Sequence, residues 1–169
     1  MVNAYEVHRE IEIKLDLESF TNYLKLMGFL GQIELEDQHI NAFFDTEDRQ
    51  LTKDGWGLRV RAESARGLVT LKGESTGSGP ARVRDEIEAE VRRGEAMDII
   101  NLRKDLMSFF IPPIDYVRKK WGDIKLARLV HFENTRQKKA FRLGDYDYIL
   151  ELDKTEFTDG SVDYELELE

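Results

Sequence analysis

The 169-residue sequence contains no cysteine, which excludes disulfides, a thiolate nucleophile and any zinc-thiolate site. Histidine is scarce, and His8, His39 and His131 lie far apart without metal-ligand spacing, so His39 and His131 read as structural. No window approaches the ~18 consecutive apolar residues of a membrane span, and the opening MVNAYEVHRE lacks the apolar core of a signal peptide. Positive charge is in deficit: 25 Lys and Arg stand against 34 Asp and Glu, a formal net of -9. A non-specific grip on nucleic acid or anionic lipid is therefore disfavoured, and any polyanion must be caught by a local basic cluster. No phosphate-binding glycine loop occurs, because GESTGSG lacks the Lys-Ser/Thr ending of a P-loop. These absences lead to the expectation of a cytoplasmic protein without nucleic-acid or membrane partners.

What is present fits one domain with a real core, since 41% of the residues are hydrophobic. Strict alternation predicts a strand over His8 to Asp16, followed by an amphipathic helix over Glu18 to Gly28 with Ser19 as its cap and Gly28 as its end. A long strand over 32 to 45 leads into a polar turn near Thr46 to Asp54, and WGLRVRAES with GLVTLKGE forms a hairpin. The stretch 73 to 81, GESTGSGPA, reads as a mobile loop before a strand over Arg82 to Arg92. Helical spacing of Met97, Ile100, Leu106, Phe109 and Phe110 predicts a helix that Pro112-Pro113 stops, before a second short helix carrying Tyr116, Val117 and Trp121. Strands at Lys125 to Arg142, Tyr146 to Thr155 and Val162 to Glu169 close the chain. The pattern is mostly antiparallel β with a few helices, an α+β chain.

Charges recur in rows along these strands. Glu10, Glu12 and Lys14 alternate with Ile11 and Ile13, and Arg82, Arg84, Glu86, Glu88 and Glu90 oppose Val83, Ile87, Ala89 and Val91. Arg59 and Arg61, then Lys72, then Glu151 with Asp153, then Glu165, Glu167 and Glu169 repeat the arrangement. Successive strand side chains point to opposite faces, so each strand has one charged and one apolar face. Each row taken singly fits a solvated sheet face. Repetition on so many strands points instead to a barrel turned inside out, with charged rows in the lumen and apolar rows outward beneath the helices. Such a lumen is stable where opposite signs pair or a charged ligand and metal occupy it. Carboxylates at i and i+2 are hard oxygen ligands for Mg²⁺ or Mn²⁺, and Arg and Lys suit phosphoryl oxygens.

The segment Glu10-Ile11-Glu12-Ile13-Lys14 resembles the ExExK signature of the CYTH family, the triphosphate tunnel metalloenzymes. That family includes thiamine triphosphatases, inorganic triphosphatases and class IV adenylate cyclases. FFDTEDRQLTKDGWGLRVR resembles the family's FDT segment and R-x-R strand, and LVTLKG, RDEIE, ENTRQ, LELD and YELELE follow in the family's order. The resemblance implies an eight-stranded antiparallel β-barrel tunnel with helices packed on the outside, over a single domain of residues 1–169. It implies that Glu10, Glu12, Glu165 and Glu167 hold Mg²⁺ or Mn²⁺ and that Lys14, Arg59, Arg61, Lys72, Arg84 and Arg136 bind the phosphates. Lys14, Glu86, Glu88 and Asp153 are the implied catalytic set, the three acids orienting basic groups, a metal or the attacking water. The implied partner is a small molecule carrying a triphosphate.

Two departures bear on activity. Many family members continue past the final E-x-E strand into a helix and a lysine-bearing segment, whereas this sequence ends at Glu169. The cyclase branch often carries an HF-containing segment before the acid row, whereas only His8 stands there, on the Glu10 face. Hydrolysis is therefore favoured over ATP cyclisation, and a binding module that holds polyphosphate or nucleotide without turnover is the third reading. Lys138 shares a face with Arg136. Trp56 either stacks on an organic group at the tunnel entrance or packs against the barrel wall, and packing is the commoner role.

Overall fold

The computed structural model describes residues 7–76 and 81–168. Eight strands run β1 (His8–Asp16), β2 (Leu35–Asp45), β3 (Gly57–Ala62), β4 (Gly67–Lys72), β5 (Ala81–Val91), β6 (Ala127–Leu143), β7 (Tyr146–Phe157) and β8 (Val162–Leu168). Four helices, α1 (Phe20–Leu30), α2 (Gln50–Lys53), α3 (Arg93–Ile100) and α4 (Pro112–Trp121), and a 3₁₀ turn at Leu106–Ser108 complete the described elements. The strands close into an antiparallel barrel in the order β1-β5-β4-β3-β2-β6-β7-β8, with β1 pairing to both β5 and β8. The inside-out barrel is therefore the observed arrangement, and the open solvated sheet is not.

Alternation sends the apolar rows outward, where helices cover two stretches of wall. Ala42, Phe44, Leu58, Val60, Val69, Leu71 and Ile87 meet Ala96, Ile99, Ile100, Ile114 and Val117 in the larger core. Gly67 lies where α3 crosses the start of β4, and a Cβ there would meet the Ala96 Cβ at 2.5 Å. The smaller core packs Tyr23 and Leu30 of α1 on Leu150 and Leu152. Ile11, Ile13 and Leu15, the outward row of β1, remain exposed, so the expected helical cover is incomplete. Trp56 packs with Tyr116 and Trp121 against the wall, and Lys120 sits 4.8 Å over its ring, so the packing role holds.

The β2–β6 register shifts between Phe43 and Phe44, where Phe43 faces Val130 but Phe44 faces Arg128. A bulge flips the parity of the strand beyond it. Arg128 is thereby turned out of the lumen and donates to the Ile100 carbonyl at 2.6 Å, capping the end of α3.

Several boundaries differ from the sequence expectations. Helix α1 passes through Gly28 and ends at Gly31, whose positive φ of 71° suits glycine. The expected turn at 46 to 54 contains α2. Its anchor is Asp45, whose carboxylate accepts from the backbone of Thr46, Leu51 and Thr52 and from the Thr52 hydroxyl at 2.7–3.0 Å. The FDT segment thus builds a loop. Thr76 bridges to Val83, while 77–80 of the expected mobile loop lie outside the described residues. The expected helix reaching Phe110 stops at Ile100, because Leu102 adopts φ 59° and its N–H and that of Arg103 bond back to Ile99 and Asp98. This is a Schellman ending with leucine where glycine is usual. Pro112 and Pro113 open α4 at positions that need no N–H donor.

Leu102→Gly removes the left-handed strain and is expected to raise unfolding free energy by about 1 kcal/mol in urea titration; a loss would refute the strain. Asp45→Ala leaves its backbone donors without their acceptor and is expected to cost roughly 2 kcal/mol. Burial raises the Asp45 carboxyl, but the hydrogen bonds from Thr52, Leu51 and Thr46 outweigh it and hold the pKa below its usual value. Its contribution is therefore present above a pH of about 4 and lost as the pH falls through the lowered folded value. A wild-type-minus-D45A stability difference that stays constant down the acid limb would contradict this.

Candidate active site in the β-tunnel

The lumen is a cavity of about 840 Å³ walled by side chains from all eight strands. Each of Glu10, Glu12, Lys14, Arg59, Arg61, Lys72, Arg84, Glu86, Glu88, Arg136, Asp153, Glu165 and Glu167 lines it. The geometry brings the acidic, phosphate-directed and catalytic candidates from the sequence into one cavity. His8 is exposed and is not part of the wall, and Lys138 is part of it.

Register decides which charges meet. Arg136 on β6 pairs across to Asp153 on β7, which pairs to Glu165 on β8. The Arg136 guanidinium donates to Asp153 at 2.8 and 2.5 Å and to Glu167 at 2.6 Å, and it also pairs with Glu151. Glu151 is fully buried and binds Lys138 as well. Sequence reasoning gave Glu151 no site role, although its place in the YILELD row held the signal. Lys14 is held by Glu165 at 2.7 Å and Glu167 at 3.0 Å. Burial alone would raise the Glu167 carboxyl, but Arg136 and Lys14 outweigh it and hold the pKa at about 2.

A second set lies across β1, β4 and β5. Lys72 binds Glu10 at 2.8 Å and Glu86 at 3.0 Å, while Arg84 reaches Glu10 at 2.6 Å and Glu12 at 2.5 Å. Burial raises Glu12, with Glu167 and Glu10 adding to it against the pull of Arg84. Burial also raises Glu86, beyond what Lys72 offsets.

Arg59 and Arg61 stand apart. Among the described residues Arg59 has no ion pair; it reaches only the Thr70 hydroxyl at 3.5 Å, and its buried Nε has no partner. Arg61 donates from Nε to the Asn41 side-chain Oδ1 at 2.9 Å and comes no nearer than 3.9 Å to Glu63. Burial, and then Arg59 and Arg136 alongside, push the Arg61 guanidinium down to about 9. Among the described residues of the wall these two cations have the least counter-charge near them, an arrangement whose chemistry suits an anion.

Three hard donors face this arginine pair's wall. Oxygens of Asp153, Glu165 and Glu167 lie within 4.8 Å of one another. Asp153 thus stands with the two β8 acids, and like Glu10 and Glu12, which pair with Arg84, these three are ion-paired, to Arg136 and Lys14. Around the whole wall ten Asp and Glu face eight Lys and Arg, a formal 8 − 10 = -2 before any polyanion enters. A polyanion therefore needs cations to accompany it, which the carboxylate cluster suits.

The fold and site define the class: a closed eight-stranded antiparallel tunnel lined by charges of both signs. The chain belongs to the CYTH family: the CYTH domain model matches residues 8–169. The chain is similar in structure to the Hippeastrum protein HpAC1, an adenylyl cyclase candidate with a dominant triphosphatase activity. The TM-score is 0.79 at 27% identity, over 94% of this chain and 78% of that one. An adenylate cyclase candidate of Bacillus halodurans shares the fold at TM-score 0.68 and 24% identity, over 95% and 80% of the chains. The PH1819 protein of Pyrococcus horikoshii shares it at 0.58 and 14%, over 95% and 77%. No curated protein matches at a significant level. No helix among the described residues is long and apolar enough to cross a membrane.

Arg136→Met strips three buried carboxylates of their shared cation and is expected to cost about 3–5 kcal/mol of stability. Arg59→Met removes a cation with no carboxylate partner and is expected to leave the urea midpoint unchanged or higher. Equal losses from the two substitutions would show that pairing does not control stability here.

Proposed function

We propose that the chain is a divalent-metal-dependent triphosphatase, a phosphohydrolase acting on inorganic tripolyphosphate or a small organic triphosphate in its tunnel. The observation that carries the reading is the pair Arg59 and Arg61, under-neutralised and facing the lumen, in one cavity with the Asp153, Glu165 and Glu167 cluster. The dominant triphosphatase activity of HpAC1 favours hydrolysis over cyclisation.

In this reading Asp153, Glu165 and Glu167, with Glu10 and Glu12 beside them on β1, hold Mg²⁺ or Mn²⁺. Bound there, the metal supplies charge neutralisation on the phosphoryl oxygens and polarisation of the bond to be broken. Arg59 and Arg61 hold the non-bridging oxygens and fix the chain of phosphates along the tunnel. Lys14, Lys72, Arg84 and Arg136 are pre-oriented by their carboxylates, so little reorganisation is needed when a polyanion enters. Glu86 orients Lys72 at 3.0 Å, and Glu88 accepts from the Thr70 hydroxyl at 2.8 Å, beside Arg59. Arg136, Asp153 and Glu167, which are buried, interact more strongly than they would in bulk water.

Purified protein is expected to release phosphate from tripolyphosphate only with Mg²⁺ or Mn²⁺, and EDTA to abolish the release. Asp153→Asn and Glu165→Gln are each expected to lower kcat by roughly 100-fold, a value typical for loss of one charge-stabilising group. With ATP as substrate, phosphate products support hydrolysis, and cyclic AMP with pyrophosphate would favour the cyclase reading. Tight tripolyphosphate binding without any turnover, whatever the metal, would leave a binding module in place of the enzyme.

A further inference from the structure

We propose that a groove beside the tunnel, where the β3–β4 turn meets the start of α3, is a second anion site for a small organic phosphate or carboxylate with an apolar body. Its occupation weakens anion binding in the tunnel, through Arg66 and Glu63. The groove stands on its own geometry, and only the coupling rests on the triphosphate reading above.

The groove is a cavity of about 550 Å³, within the roughly 300–1,000 Å³ of sites that take small ligands. Its apolar side is Val91 at the end of β5 with Phe109 and Ile111 from the segment leading into α4, all half-buried. Its charged side is Arg66 from the β3–β4 turn and Arg92 and Arg93 at the start of α3, with Glu90 and Glu95 beside them. Lys104 adds a cation at the rim, its Nζ lying 5.9 Å over the Phe109 ring and 3.7 Å from Glu95. Cations thus outnumber acids here, on a chain whose formal net charge is -9.

These cations are loosely committed. Arg66 reaches Glu90 at 3.2 Å with the two side chains 48% and 62% exposed, and Arg92 reaches Glu95 at 3.0 Å while itself 83% exposed. Ion pairs that open to water contribute little and exchange readily. Among the described residues Arg93 has no ion pair, and its Nε donates only to the Glu63 carbonyl at 2.9 Å. An incoming anion can take over these guanidinium bonds, while the apolar side covers the body that carries it.

Arg66 also lines the tunnel, so the two cavities share a wall. Glu63 stands on that wall between two arginines. Its Oε2 accepts from Arg66 Nε at 2.9 Å, while its Oε1 lies 3.9 Å from Arg61 Nη1. Arg66 thereby holds the carboxylate off Arg61. An anion that draws Arg66 into the groove releases Glu63 towards Arg61, and a neutralised Arg61 attracts a polyanion less. The linkage is reciprocal, so tripolyphosphate in the tunnel weakens the groove by the same factor.

The probe is phenylphosphonate, an anion on an apolar ring whose P–C bond resists hydrolysis. On the isotope-labelled whole protein it is expected to shift the backbone amides of 91–95 and 109–111 and to leave those of Phe132 and Asp153 in place. Shifts at the latter pair instead, or none anywhere, would overturn the site. Arg93→Gln, and replacement of the probe by methylphosphonate, are each expected to weaken binding about fivefold, the scale of one partly exposed charge pair or of a partly covered apolar ring. An unchanged affinity in either comparison would overturn it, and so would a glutamate hexapeptide that binds the groove more tightly than phenylphosphonate. Calorimetry is expected to show the Kd of tripolyphosphate rising to a plateau about fivefold higher as phenylphosphonate saturates the groove, and Glu63→Gln to remove that rise while the amides still shift. A rise without a plateau would mean direct competition inside the tunnel, and no rise would mean no coupling; either refutes the linkage. Absence of any tripolyphosphate binding would remove the triphosphate reading and the coupling with it, whereas the amide shifts decide the groove separately.

Discussion

The two-residue repeat of the β-strand, imposed on a sheet that closes on itself, is the constraint from which the rest of this molecule follows. A closed sheet has one inside, so every alternating strand must commit a whole row of side chains to it. Here the committed rows are ionic. The apolar rows are pushed outward, which is why the hydrophobic cores lie between barrel and helices rather than at the barrel's centre. The lumen tolerates its charge because Arg136, Arg84, Lys72 and Lys14 are each shared by two or three carboxylates.

That sharing divides the lumen into two electrostatic kinds. Where cations are saturated, the wall is a network of shared ion pairs. Arg59 and Arg61 are the exception, each with little counter-charge close by. On β7 and β8 the carboxylates of Asp153, Glu165 and Glu167 already share Arg136 and Lys14.

Much of this was legible in the sequence because the alternation is strict. β1 emerged with its observed bounds, and the charged rows held every lumen residue proposed for the site except Arg136 on β6, which came from the family motif alone. The failures have physical causes. Leu102 holds a conformation that glycine normally marks, so the end of α3 carried no signal. Gly28 looked like a helix end but sits mid-helix, with open space around it. Pairing was invisible, because whether Arg136 is saturated and Arg59 is not depends on register across β6, β7 and β8. Phe43 and Phe44 are both apolar, so the pattern could not say which of them faces inward. Arg128 shares the parity of Val130 and leaves the lumen only through the bulge.

The closure of the barrel has a kinetic consequence. β1 is laid down first during synthesis, yet one of its two partners is β8, and the Lys14–Glu167 contact spans 153 positions. Its other partner, β5, is available far earlier. The emerging chain therefore passes through a stage in which β1 offers a half-satisfied edge and the ionic rows lie open to water. Local hairpins such as β3–β4 can form in that interval, but the seam closes only when the last strand arrives. The ionic rows make this delay safer, since an unfinished sheet bearing charge on one face is poorly suited to stick to its neighbours.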